Sequence, residues 1–375
     1  MATQTAGMTR AVVTDDSHFM RSVISDILEE GGVEVVARAK NGQEAIQAVT
    51  EHDPDVVTMD VEMPGMDGIE AVERIMDEHP TPVLMLSAHT DENADVTFQA
   101  LEKGAVDFFT KPGGEVSMEM SRLEDQLVDM VDSVASVEVS VGAGSDTTTP
   151  DEAYTEAVEA AGATSESTAT EPVPETEQYV DNPTLLIGSS TGGPTVVEQI
   201  LSELPLAADF RVLVVQHMPD GFTGRFAERL DGRSAYTVRE ASDGDRIGGG
   251  EVLVATGGKH LEVSNCAGGR IRVRLTEDDP VNSVRPAVDV TMATAAETID
   301  DPMTAVILTG MGTDGADGIT ALKRAGASTL AQDEETSAVY GMPKRAVETG
   351  DVDAVLPLDD ITDGILDTIT EANHG

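Results

Sequence analysis

Short apolar runs alternate with amphipathic stretches along two separate reaches of this chain, and no other feature limits the possible folds as strongly. In the first reach, residues 10–133, the runs are Ala11-Val12-Val13-Thr14, Val33 to Ala37, Val56-Val57-Thr58-Met59, Val83-Leu84-Met85-Leu86 and Ala105 to Phe109. Five strands with helices between them predict a parallel sheet covered by helices on both faces. The second reach begins after Asn182 with Thr184-Leu185-Leu186-Ile187 and Arg211-Val212-Leu213-Val214-Val215. A Gly-rich hairpin region follows from Gly248 to Leu275, then Thr304 to Leu308 and Thr329-Leu330-Ala331. Helices fit at 195–204, 224–230, 287–298, 316–324, 343–348 and 361–372, so this half is also a doubly wound α/β unit, with a β-hairpin insertion.

Between the two reaches the texture changes. Residues 136–181 are rich in Ser, Thr, Ala, Glu and Pro and contain neither Lys nor Arg. Such a composition cannot bury enough apolar surface to offset ordering, which predicts a disordered acidic linker over 134–181. The expected division is therefore a first domain over 1–133, the linker, and a second domain over 182–375. A length of 375 residues suits two cores.

The formal charge of −47 is spread along the whole chain, and lysine is scarce. Self-repulsion of that size is screened at molar salt, where the Debye length falls to about 3 Å, so a halophile's cytoplasm is the expected setting. No basic patch exists to displace counterions, which disfavours nucleic acid as a partner. No apolar run reaches membrane-span or signal-peptide length, so the chain reads as cytoplasmic and not membrane-embedded. The single cysteine, Cys266, excludes an internal disulfide and a cysteine-rich metal site.

In the first domain Asp15 and Asp16 follow the first strand, Asp60 ends the third, Ser87 ends the fourth and Lys111 follows the fifth. The carboxyl ends of parallel strands share one edge, so these side chains converge. Three carboxylates would repel unless a hard divalent cation such as Mg²⁺ joined them, with Asp15, Asp16 and Asp60 as its ligands. Asp60 can then accept a phosphoryl group, while Lys111 neutralises charge on it.

In the second domain, Gly188-Ser189-Ser190-Thr191-Gly192-Gly193-Pro194 carries a buried strand through a turn into a helix that Pro194 can start. That turn alone fits a phosphate site as well as a nucleophile. His217 ends the next strand and Asp314 follows the strand after the hairpin region, so three strand ends deliver Ser, His and Asp to one edge. A hydroxyl needs a base, and imidazole needs a carboxylate to fix its tautomer. His217 alone could be structural, and Asp314 could cap the helix near Ala316. The glycines flanking Met311 leave its backbone N–H as a candidate oxyanion donor, worth about 3 kcal/mol.

The run Met59-Asp60-Val61-Glu62-Met63-Pro64-Gly65-Met66-Asp67-Gly68 and the Phe109-Thr110-Lys111-Pro112 turn resemble response-regulator receiver domains over residues 10–130. The resemblance implies a flavodoxin-like fold, Asp60 as phosphoacceptor with Mg²⁺ on Asp15 and Asp16, Ser87 as the hydroxyl that tracks the phosphoryl group, and Phe108 as the switch aromatic. Gly188-Ser-Ser-Thr-Gly-Gly, Gln216-His-Met-Pro, Gly221-Phe-Thr-Gly-Arg-Phe-Ala, Arg285-Pro-Ala-Val-Asp, Gly310-Met-Gly-Thr-Asp-Gly and Tyr340-Gly-Met-Pro resemble the catalytic domain of the CheB protein-glutamate methylesterases over about 183–370. That implies Ser190 as nucleophile, His217 as base, Asp314 as orienting acid, the Met311 N–H in the oxyanion hole, and Ser189 and Thr191 shaping the pocket. No cofactor is implied for the esterase. The implied partners are methyl-accepting chemoreceptors, as substrate, and a chemotaxis histidine kinase, as phosphodonor. The alternative from another class is a phospho-dependent binding module that docks on receptors or a kinase without turnover.

Overall fold

The computed structural model describes residues 8–87, 91–111, 118–137 and 179–370. The expected linker, apart from its ends, Pro112 and the last turn of the expected C-terminal helix all lie outside those residues.

The first domain alternates strand and helix throughout: β1 (Arg10–Thr14), α1 (His18–Glu30), β2 (Glu34–Ala39), α2 (Gly42–His52), β3 (Val56–Asp60), α3 (Gly68–Glu78), β4 (Val83–Ser87), α4 (Asp91–Glu102), β5 (Asp107–Thr110) and α5 (Met118–Ala135). The sheet is parallel in the order β2-β1-β3-β4-β5. Every residue of β3 and β4 is buried, as a sheet with helices on both faces requires. Side chains at the helix starts satisfy backbone donors that the helices leave open: Asn41 accepts from the Glu44 amide at 2.9 Å and Asp67 from the Glu70 amide at 2.9 Å.

The second domain contains β6 (Thr184–Ser189), α6 (Gly193–Glu203), β7 (Arg211–Gln216), α7 (Phe222–Asp231), β8 (Thr237–Glu240), β9 (Arg246–Ile247), β10 (Glu251–Val254), β11 (His260–Ala267), β12 (Arg270–Thr276), α8 (Val288–Thr298), β13 (Met303–Ile307), α9 (Ala316–Arg324), β14 (Ser328–Gln332), α10 (Met342–Glu348), β15 (Ala354–Leu356) and α11 (Leu358–Asp367). Seven strands form one sheet in the order β15-β14-β13-β6-β7-β10-β8, with parallel pairings throughout.

Two expectations about this half need correcting. The hairpin is confined to β11 and β12, joined by β9 in a separate antiparallel sheet, whereas β10 belongs to the main sheet beside β7. Val252-Leu253-Val254 of β10 is a fully buried apolar run, but the glycines around it point to a turn-rich insertion. Strands β8 and β15 were not foreseen either. They are the sheet's two edges, short and only partly buried: β8 has Val238 as its one apolar residue, and β15, though apolar, spans only three residues.

The domains pack together through α4, β5 and α5 on one side and α7 and the loops at the strand ends on the other. Phe108 stacks on Phe222 with ring centres 4.7 Å apart, and Phe98 stacks on Phe226 at 5.9 Å. Beside the rings, Glu102 pairs with both Arg229, at 2.8 Å, and Arg233. Glu198 completes the cluster by pairing with the same two arginines.

Candidate active site

At the carboxyl edge of the first sheet the predicted residues come together. Lys111 Nζ lies 2.7 Å from Asp15 Oδ2 and 2.6 Å from Asp60 Oδ1. Carboxylate oxygens of Asp15, Asp16 and Asp60 fall within 4.8 Å of one another, a hard oxygen set that suits a small divalent cation. Burial raises the Asp60 carboxyl to about 6 against the pull of Lys111, and the neighbouring Asp15 and Asp16 push the same way. Ser87 is fully buried at the end of β4, where its Oγ accepts a hydrogen bond from Thr97 Oγ1 at 3.0 Å. Phe108 is turned inward against Phe222 of the other domain.

At the corresponding edge of the second sheet, Ser190 sits in a tight turn between β6 and α6, closed by a bond from the Gly193 N–H to the Ser190 carbonyl at 2.8 Å. The turn is shaped by close approach. A Cβ on Gly193 would lie 2.3 Å from Gln216 Oε1, and one on Gly310 would lie 2.7 Å from the Ser190 Cβ. A larger residue at Gly193 would displace Gln216 and Ser189, and one at Gly310 would displace Ser190 itself. Ser190 is half-buried and opens onto a groove of about 560 Å³ that His217, Asn282, Met311 and Arg285 also line.

Asp314 joins His217 firmly: Asp314 Oδ2 is 2.8 Å from His217 Nε2. Its carboxylate also accepts from the Val288 amide at 2.6 Å, the Asp289 amide at 3.1 Å and Asn282 Nδ2 at 2.9 Å. Burial alone would raise this group. The His217 contact, with the Asn282 and Val288 donors, outweighs it and holds the carboxyl below the usual range. The helix that Asp314 caps is therefore α8, not the α9 that follows it in the chain. Ser190 Oγ shares the groove with His217 but is not hydrogen-bonded to it, so the hydroxyl must turn toward the ring for proton transfer.

Thr191 is buried behind the turn, its carbonyl accepting from Thr309 Oγ1 at 2.8 Å. Ser189 is fully buried and donates to Gln216 Oε1 at 2.5 Å, so it braces the turn from behind without lining the groove. The reason is the strand's alternation, which sends the side chain of Ser189 inward where Ser190, past the strand end, faces out.

Four residues at the site received no role from sequence reasoning. Gln216 Nε2 donates to the carbonyls of Ser190 at 2.8 Å and His217 at 3.1 Å, tying the two loops together. Asn282 and Asp289 surround Asp314. Asp107, from the first domain, reaches the Gly192 N–H. Gln216 and Asp289 stand inside recognisable motifs, and a polar side chain at a buried strand end or helix start was the available signal.

The first domain closes one side of this groove. Phe109 and Thr110 from β5 and Gln126, Asp129 and Met130 from α5 line it opposite Ser190 and His217, and Ser133 Oγ lies 3.1 Å from Met311 Sδ.

Fold and site together define a response regulator whose output domain is an enzyme built on a parallel α/β sheet. Residues 11–120 match the family described as response regulator receiver domain, and residues 185–365 match CheB methylesterase. A protein-glutamate methylesterase/protein-glutamine glutaminase of Haloarcula marismortui is 68% identical over 96% of this chain and 98% of its own. Proteins of the same description from Natronomonas pharaonis and Halobacterium salinarum are 63% and 57% identical, over 96% of this chain and 97% and 99% of theirs. The chain belongs to the CheB family of receiver-linked methylesterases.

Proposed function

We propose that this chain hydrolyses glutamyl methyl esters on methyl-accepting chemoreceptors in the cytoplasm, and that phosphorylation of Asp60 by a chemotaxis histidine kinase releases the activity. The observation that carries this reading is the His217–Asp314 hydrogen bond at 2.8 Å beside Ser190 in one groove. Ser190 Oγ attacks the ester carbonyl as His217 takes its proton, with the ring's charge balanced by Asp314. Charge on the carbonyl oxygen falls to the Met311 N–H, beside glycines that keep the backbone open. The carbon–methoxy bond then breaks, methanol leaves with the proton from His217, and water attacks the acyl-serine to free glutamate. The same steps on a side-chain amide would release ammonia, which fits the glutaminase half of the relatives' description.

On the receiver side, Asp15, Asp16 and Asp60 would hold Mg²⁺, which when bound neutralises charge on the phosphoryl group. Lys111 already bridges two of these carboxylates and is placed to pair with an added phosphoryl oxygen. Phe108 lies between this edge and Phe222, so a change of its rotamer acts directly on the domain contact. No helix among the described residues is long and apolar enough to cross a membrane.

The test is methanol release from methylated receptor, with and without a small phosphodonor. Ser190→Ala is expected to abolish release and Asp60→Asn to abolish the phosphodonor response. Full release by the first variant would remove the nucleophile, and an unchanged response in the second would remove the switch.

A further inference from the structure

Two buried carboxylates stand together behind His217. Asp314 accepts from the first amides of α8, and Asp289, in the first turn of α8, accepts from the Gly315 N–H at 2.9 Å and the Gly318 N–H at 2.7 Å at the head of α9. Neither helix has a side-chain cap of its own, so each start is satisfied by the other's acid. This arrangement forces two like charges into a shared buried space. Burial, and then the charge on Asp314, raise the Asp289 carboxyl to about 6.

One side chain links the two acids. Asn282 Nδ2 donates to Asp289 Oδ2 at 2.7 Å and to Asp314 Oδ1 at 2.9 Å. Asn282 lies in the loop before α8 with φ of 51°, and Asn282, Ser283, Val284 and Arg285 line the groove. The loop is pinned by buried His260, whose Nδ1 accepts from the Ala287 N–H at 3.2 Å and whose Nε2 lies 3.1 Å from the Asp279 carbonyl. The groove wall and the acid behind the histidine are thus joined through a single amide.

We propose that Asn282 is a positioning residue for the hydrolysis, clamping Asp289 and Asp314 so that Asp314 stays ionised with Oδ2 on His217. This rests on the esterase reading above. Because its Nδ2 hydrogens are committed to the two acids, its action on the reaction runs through Asp314 and not through the ester.

The test uses the full chain with phosphodonor and methylated receptor. Asn282→Ala is expected to lower kcat at least tenfold with KM within twofold of wild type. Asn282→Asp keeps the shape but adds a third carboxylate, and is expected to fall further than alanine. Adding Asp289→Asn to Asn282→Asp, which removes one charge and supplies a new amide donor, is expected to recover activity severalfold. A rise in KM with unchanged kcat, or an aspartate variant as active as wild type, would overturn the proposal. The far-downfield proton resonance of the His217–Asp314 hydrogen bond gives a readout independent of turnover. It is expected in wild type and broadened or lost in Asn282→Asp, and its persistence unchanged there would also overturn the proposal. A wild-type chain that releases no methanol would instead sink the esterase reading, leaving the resonance to decide the role of Asn282.

Discussion

Asp107 Oδ2, from the receiver's last strand, accepts a hydrogen bond at 3.3 Å from the N–H of Gly192, two residues beyond Ser190. The carboxyl is buried where the domains meet, and its other oxygen takes the Phe108 amide at 2.8 Å. Desolvation raises it from 3.8 to about 7, against those two amides. A carboxyl raised by docking favours the docked form when protonated. The Asp107 contribution to docking is therefore fullest below about pH 4, weakens by up to about tenfold per pH unit as pH rises toward 7, and is flat above. Asp107→Asn is expected to stay docked at pH 8 and to flatten this dependence. Protease protection of the domain contact, followed from pH 5 to pH 8, checks it.

Glu102 faces two guanidinium groups, Arg229 and Arg233, which outweigh burial and hold its carboxyl below the usual range. Removing its charge leaves Arg229 and Arg233 sharing Glu198 alone. Glu102→Gln is expected to raise methanol release without phosphodonor severalfold. The contact is partly exposed, so the rise should shrink in molar salt, where screening is short-ranged. Release measured across a salt series distinguishes this from a salt-independent packing defect.

Asp314→Asn keeps the shape of the side chain but loses the charge that balances the imidazolium. A fall in kcat of about 10⁴-fold is expected, with a stability loss smaller than that of Asp314→Ala, because one oxygen still accepts from a backbone amide of α8 while the other is replaced by a donor. Asp314→Ala should also leave the Val288 and Asp289 amides without acceptors, at a cost of about 1–3 kcal/mol in stability. Chemical denaturation of the two variants side by side separates the catalytic loss from the structural one.

Gln216→Leu removes the donor that ties the Ser190 and His217 loops, and leaves the Ser189 hydroxyl without its acceptor in a fully buried position. A loss of about 1–3 kcal/mol in stability is expected. With the two loops untied, kcat should fall more than KM rises, and steady-state kinetics on the folded fraction would show it.

Much of this was legible in the sequence. The apolar runs of β1, β3, β4, β6, β7 and β13 are buried over nearly their whole length, so hydrophobic patterning located them, and the strand ends then located Asp15, Asp60, Ser190, His217 and Asp314. Strands β8 and β15 were illegible because one is mostly polar and the other spans only three residues. Gln216 and Asp289 stand inside recognisable motifs and Asn282 outside them, but the role of each is set by the groups that face it across the fold. Asp107 takes its place from the contact between the two domains, which the pattern of a single strand does not reveal.

The most direct measurement is fluorophosphonate labelling of the full chain, with peptide mapping of the modified residue and rates taken with and without phosphodonor. The expected result is modification at Ser190 alone, accelerated by the phosphodonor and absent in His217→Ala. Labelling at another residue, or of Ser190 at a rate indifferent to His217, would contradict a serine nucleophile driven by the His217–Asp314 pair.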